Sequence, residues 1–114
     1  VHELMRTNTQ LIANQEAWND PWKRKKIEQI KTLLNGSLMA MGKVGIKLNV
    51  AKENLDCVMK LLPSLKAPTI SSLYSEEWFA IEAVVDTGIV RDIIPQLLNA
   101  GAQGIIEYPL NKVI

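Results

Sequence analysis

Cysteine is nearly absent from this chain: Cys57 stands alone. A single thiol excludes an intrachain disulfide framework and any CxxC metal or redox motif, and it fits a reducing compartment. Histidine is as scarce, with His2 the only one. A metal site has no ligand cluster to draw on, and a nucleophile has no histidine base within reach. No Gly-rich phosphate loop is present. Aromatic residues amount to 5%, too few and too scattered for the aromatic-bearing strands with which a sheet stacks RNA bases. No apolar run approaches the roughly 20 residues of a membrane-spanning helix. The first residues lack the charged-then-apolar pattern of a signal peptide. Neither sign of charge dominates, since 13 Lys+Arg against 12 Asp+Glu leave a net +1. That balance makes no electrostatic case for nucleic acid or an anionic membrane.

What is present is an ordinary globular composition. The 114 residues are 47% hydrophobic and 22% charged, which fits one folded domain and excludes intrinsic disorder. A chain of this size buries about two thirds of its unfolded surface. It starts at Val1, as a piece of a longer protein would.

Residues 1–19 carry no clear period. Their Thr, Asn and Gln content reads as a connecting segment, with a short helix expected around Val1–Met5. Leu11, Ile12, Ala13 and Trp18 need something to pack against. Two readings follow: a strap over the domain's own core, or a linker remnant from another part of a longer protein. Residues 20–114 then form the domain.

Asp20-Pro21 is a strong helix start, with Asp at the N-cap and Pro at the first helical position. Ile27, Ile30, Leu34, Leu38 and Met41 recur at three- and four-residue steps, the stripe of an amphipathic helix ending near Gly42. Lys43–Val50 alternates without a fault: Val44, Ile46, Leu48 and Val50 on one face, Lys43, Gly45, Lys47 and Asn49 on the other. That is a half-buried strand. From Lys52 to Leu62 the helical period returns, with Leu55, Val58, Met59 and Leu62 as its stripe, and Pro63 ends it. Thr69–Tyr74 reads as a strand, Ser75-Glu76-Glu77 as a turn and Trp78–Val85 as a second strand, so the pair forms a hairpin. Asp86 or Thr87 caps a further helix with the stripe Val90, Ile93, Ile94, Leu97 and Leu98. Pro95 within it predicts a kink or a late start. Gly101 closes it, Gly104–Tyr108 is a last strand, and Asn111–Ile114 a candidate edge.

In order, the elements are a leading helix and then β-α-β-β-α-β. The expected fold is therefore α+β and ferredoxin-like, a four-stranded antiparallel sheet with two helices on one face and an extra N-terminal helix. Its other sheet face is open. The run Lys23-Arg24-Lys25-Lys26 opposes the helix macrodipole; it reads either as a solvated face or as a contact to an acidic surface or phosphate. Cys57 reads as a buried, inert thiol, and Glu76-Glu77 as solvated. Catalysis by this chain alone is not expected. The loop Pro63-Ser64-Leu65-Lys66-Ala67-Pro68-Thr69 has both ends fixed by proline, which lowers the entropy lost when a ligand docks. It is either a rigid connector or a loop whose amides, with the Thr69 hydroxyl, hold a small carboxylate.

At this loop the sequence resembles a known family. LLPSLKAPTISSL, then WFAIEAVV, then GAQGIIEYPLNKVI resemble the C-terminal regulatory domain of long-form ATP phosphoribosyltransferase. LIANQEAW, KIEQIKTLLNGSLMAMGK and KVGIKLNV match the same family in the same order, so the resemblance covers residues 10–114. Gln15, Ala51 and Ser72 stand where proline is usual, Met41 stands where arginine is frequent, and MRTNTQ departs from an acidic stretch.

The resemblance implies a cytoplasmic feedback sensor. The parent enzyme, a glycosyltransferase of histidine biosynthesis, transfers the phosphoribosyl group of PRPP to N1 of ATP with magnesium and releases pyrophosphate. Its catalytic domains lie outside residues 1–114, and this chain carries no cofactor of its own. The family's C-terminal domain binds L-histidine and supports trimer or hexamer assembly. Carried over by position, the effector pocket uses Asn49, Leu65, Thr69, Val84 and Gly104. Thr69 and the loop amides suit the ligand carboxylate, and Asn49 suits an amino or imidazole nitrogen. The competing expectation is a free-standing ferredoxin-like sensor or oligomerisation module.

Overall fold

A computed structural model of the chain describes residues 3–63 and 67–114. Among these residues the elements run α1 (Gln15–Asn19), α2 (Pro21–Ala40), β1 (Lys43–Ala51), a 3-10 turn (Lys52–Asn54), α3 (Leu55–Leu61), β2 (Thr69–Ser72), β3 (Trp78–Asp86), α4 (Thr87–Asn99) and β4 (Gln103–Pro109). After the two leading helices this is the expected β-α-β-β-α-β. The strands pair in the order β2-β3-β1-β4, and every pairing is antiparallel. The α+β class and the four-stranded antiparallel sheet are as the sequence predicts.

The long central strands β1 and β3 face each other from Lys43–Asp86 to Ala51–Trp78. Their alternation sends Ile46, Leu48 and Val50, with Ile81, Ala83 and Val85, into one core. α3 adds Val58 to that core, and α4 adds Val90, Ile93 and Leu97. Both helices thus cover one sheet face, because each offers a stripe of the right period and each strand hides only every second residue. Asp86 stands at the N-cap of α4, and the helix begins at Thr87 and runs through Pro95. The late start that Pro95 suggested does not occur, since its ring costs one internal hydrogen bond in a helix anchored by three buried residues.

Four expectations need correction. The stripe of α2 does not enter the core. Only Gly36 and Ala40 of that helix are buried, while Ile30 is 54% and Leu38 64% exposed. Gly42, with φ +76, turns the chain sharply into β1, so α2 meets the body only by its last turns and projects from it. Second, residues 3–14 form no strap: Leu11 is 60% and Ile12 92% exposed. The short helix expected around Val1–Met5 is not found over residues 3–5, and the short leading helix is α1. The radius of gyration, 19.8 Å, reflects both features, against about 13 Å for a compact chain of this size. Third, Cys57 is exposed, because it lies on the side of α3 away from Val58. Fourth, Asn111–Ile114 adds no strand; the tail instead docks on α2, where the Val113 N–H donates to the Gly36 carbonyl at 2.9 Å.

The basic run at the start of α2 is exposed, and two of its cations lie over aromatic rings. Arg24 lies 4.3 Å from the Trp18 ring centre and Lys26 5.7 Å from that of Trp22, distances at which a cation is attracted to the ring face.

Candidate functional site

The uncovered sheet face is laid out by register in cross-strand rows. Lys43 stands beside Asp86, and Gly45 lies between Val84 and Tyr108. Lys47 lies between Glu82 and Ile106, and Asn49 between Ala80 and Gln103. On β2, Thr69 is the partner of Glu82 and Ser71 that of Ala80. The first row is closed by an ion pair, Lys43 Nζ to Asp86 Oδ1 at 2.6 Å.

The second and third rows hold the chemistry. Tyr108 rises from β4 and lies across β1 at Gly45. A Cβ at position 45 would stand 2.1 Å from Tyr108 Cε2, so only glycine lets the ring cross there. Crossing it, the Tyr108 hydroxyl donates to Glu82 Oε1 on β3. That hydrogen bond, then burial, then the charge of Glu82 push the phenol up to about 12. The hydroxyl therefore keeps its proton throughout the physiological range.

Around this pair lies a cavity of about 360 Å³, lined among the described residues by Ala67, Thr69, Glu82, Ala83, Val84, Tyr108 and Val113. Its size falls within the range of small-molecule sites. Glu82 is the only charged side chain among these lining residues.

Of the residues singled out in the sequence, Thr69 and Val84 share this cavity. Asn49 and Gly104 adjoin one another further along the face, since a Cβ at Gly104 would be 3.7 Å from Asn49 Nδ2. Leu65 lies outside the described residues. Gly104, expected to open the last strand, is the second residue of β4, with φ +58, where the register of β4 against β1 shifts between Lys47 and Asn49. The left-handed residue absorbs the extra position of a bulge. Glu82 and Tyr108 were missed by sequence reasoning. A signal existed: a glycine in the middle of an alternating strand marks close approach by another group.

A family profile described as "HisG, C-terminal domain" matches residues 40–112. The chain belongs to the HisG C-terminal domain family. This HisG C-terminal region is 59% identical over all 114 residues to an ATP phosphoribosyltransferase of Desulfosudis oleivorans. It is 56% identical to one of Solidesulfovibrio magneticus and 51% identical to one of Prosthecochloris aestuarii, again over the whole chain. It spans 39% of the length of each of these relatives. The HisG match begins at Ala40, so it takes in the whole sheet with α3 and α4 and leaves out nearly all of α2.

Proposed function

We propose that this chain is the effector-sensing part of an ATP phosphoribosyltransferase of histidine biosynthesis, and that it binds L-histidine on the open sheet face. The observation that carries this reading is the cavity beside the β2–β3 hairpin, in which Thr69 and Val84 meet on a domain of the HisG family. The Thr69 hydroxyl receives the ligand carboxylate, with loop amides beside it. Asn49, at the Gly104 bulge, receives an amino or imidazole nitrogen.

Catalysis in this reading belongs to the remainder of the parent protein, where PRPP and ATP react with magnesium. Among the described residues no three of His, Cys, Asp or Glu stand together. Feedback requires histidine to favour an inhibited arrangement over an active one. The coupling is reciprocal, so substrate weakens histidine binding by the same factor. Assembly as a trimer or hexamer suits a sheet that, among the described residues, ends on two unpaired edges, β2 and β4, with β2 short and exposed along its whole length. A cytoplasmic setting goes with such an enzyme, and no helix among the described residues is long and apolar enough to cross a membrane.

Calorimetry of the chain with L-histidine tests the proposal. Thr69→Val keeps the shape and removes the hydroxyl. A hydrogen bond to a charged carboxylate is worth about 1.5–3 kcal/mol, so affinity should fall about ten- to a hundredfold. Ser72→Ala, at the far end of β2, should leave it unchanged. Equal affinity of wild type and Thr69→Val would remove Thr69 from the pocket. Absence of histidine binding by the folded chain would end the sensor reading.

A further inference from the structure

We infer that Glu82 is the acceptor for the α-ammonium group of an amino-acid ligand, paired across the strands with Thr69, whose hydroxyl donates to the ligand carboxylate. The inference rests on the reading of the open face as an amino-acid site and adds to it a residue and a polarity.

The first support is charge. Glu82 is the only charged group among the described residues lining the cavity. The ion pairs among the described residues are Arg6–Glu3, Arg24–Glu28 and Lys43–Asp86; Glu82 belongs to none of them, and Lys47, its register partner on β1, is not within ion-pair distance of it. Its hydrogen bond comes instead from a neutral phenol. A carboxylate offers about four lone-pair positions, so Tyr108 occupies one and a second donor has room.

The second support is spacing. Thr69 and Glu82 are register partners on antiparallel strands, which sets their Cβ atoms about 4.5–5.5 Å apart. An amino acid carries its ammonium and carboxylate on one carbon. Lying over this cross-strand pair, it meets a hydroxyl with one group and a carboxylate with the other. The next residue along β3 on the same face is Val84, opposite Gly45, which lends the cavity an apolar wall. The third support is that Tyr108 fixes the Glu82 carboxylate from the far side of Gly45, so the acceptor is held in place before a ligand arrives.

The test is titration calorimetry of the whole chain against the twenty amino acids, each compared with its deaminated acid. For histidine that analogue is 3-(imidazol-4-yl)propanoate. Wild type should prefer L-histidine to this analogue by about ten- to a hundredfold, the value of a charge-assisted hydrogen bond. Glu82→Gln should abolish the preference while leaving affinity for the analogue unchanged. Glu82→Asp, which keeps the charge, should restore part of it and guards against a variant that merely fails to fold. Tyr108→Phe, which frees the Glu82 carboxylate, should weaken the preference without abolishing it. An undiminished preference in Glu82→Gln overturns the assignment. Binding of a different amino acid with a Glu82-dependent ammonium preference would sustain it and overturn the choice of histidine. A folded chain that binds none of the panel overturns both.

Discussion

The Tyr108 hydroxyl reaches Glu82 only because position 45 has no side chain. The three residues sit on three strands, and the ring crosses the middle one. Gly45→Ala places a methyl inside the ring, with 2.1 Å to Cε2. Overpacking of this kind costs about 1–3 kcal/mol, here partly offset by alanine's better strand entropy. Urea denaturation should show the loss. In a Tyr108→Ala background the same substitution should be close to neutral, because the clash is gone and the remaining coupling is what a double-mutant cycle measures.

The phenol's titration gives a second prediction. Tyr108 lies at about 12 in the folded chain, against about 10 in an unfolded one. A group raised on folding stabilises the native state fully below its unfolded value and ceases to do so as pH rises through its folded value. The stability difference between wild type and Tyr108→Phe should therefore be flat below about pH 10 and shrink between about 10 and about 12. The phenolate absorbance assigned by Tyr108→Phe should move to lower pH in Glu82→Gln, since the hydrogen bond to Glu82 is the largest cause of the shift.

Gly36 gives a third. It lies inside α2 under the C-terminal tail, and an added Cβ would stand 2.7 Å from Ile114 Cγ1. That atom is the inner methylene of a mostly exposed side chain, which makes room by turning about its Cα–Cβ bond, while the Val113 carbonyl oxygen stands at 3.4 Å, an ordinary contact. The gain from removing a glycine within a helix is about 1 kcal/mol. Gly36→Ala should accordingly raise the denaturation midpoint, by a gain in unfolding free energy of up to about 1 kcal/mol, with the Val113–Gly36 backbone hydrogen bond kept. A midpoint that falls would mean that the tail cannot yield.

Much of this fold is legible in the sequence because its elements obey one period each. The alternation from Lys43 to Val50 and the stripe Val90–Ile93–Leu97 each have a single face to bury, and each buries it. The stripe of α2 has the same pattern and stays exposed, since periodicity says that a face is apolar and not what covers it. Cys57 was misplaced for a related reason: it adjoins Val58 in sequence, but a helix turns neighbours about 100° apart. At the candidate site, Thr69 and Val84 come from a sequence resemblance and do share a cavity. Glu82 and Tyr108 depend on which residues face each other across three strands, a register that no single strand's sequence carries.

The exposed stripe of α2 yields the last prediction, a contrast between two leucines on helices of similar pattern. Leu97 on α4 is fully buried within the core, whereas Leu34 on α2 is about half exposed. Leu97→Ala removes packed atoms and leaves a cavity, at a cost of about 2–5 kcal/mol. Leu34→Gln keeps helix propensity and leaves no cavity, so in dilute solution it should change stability by no more than about 0.5 kcal/mol. Denaturation of both variants at low and at high protein concentration separates the two roles. The Leu97 penalty should be the same at both. The Leu34 effect should stay small when dilute and become a loss when concentrated, if copies of the chain cover the stripe by associating, because burial in an assembly stabilises by mass action. A Leu34→Gln penalty of several kcal/mol that does not depend on concentration would instead mean that α2 packs against this chain's own core.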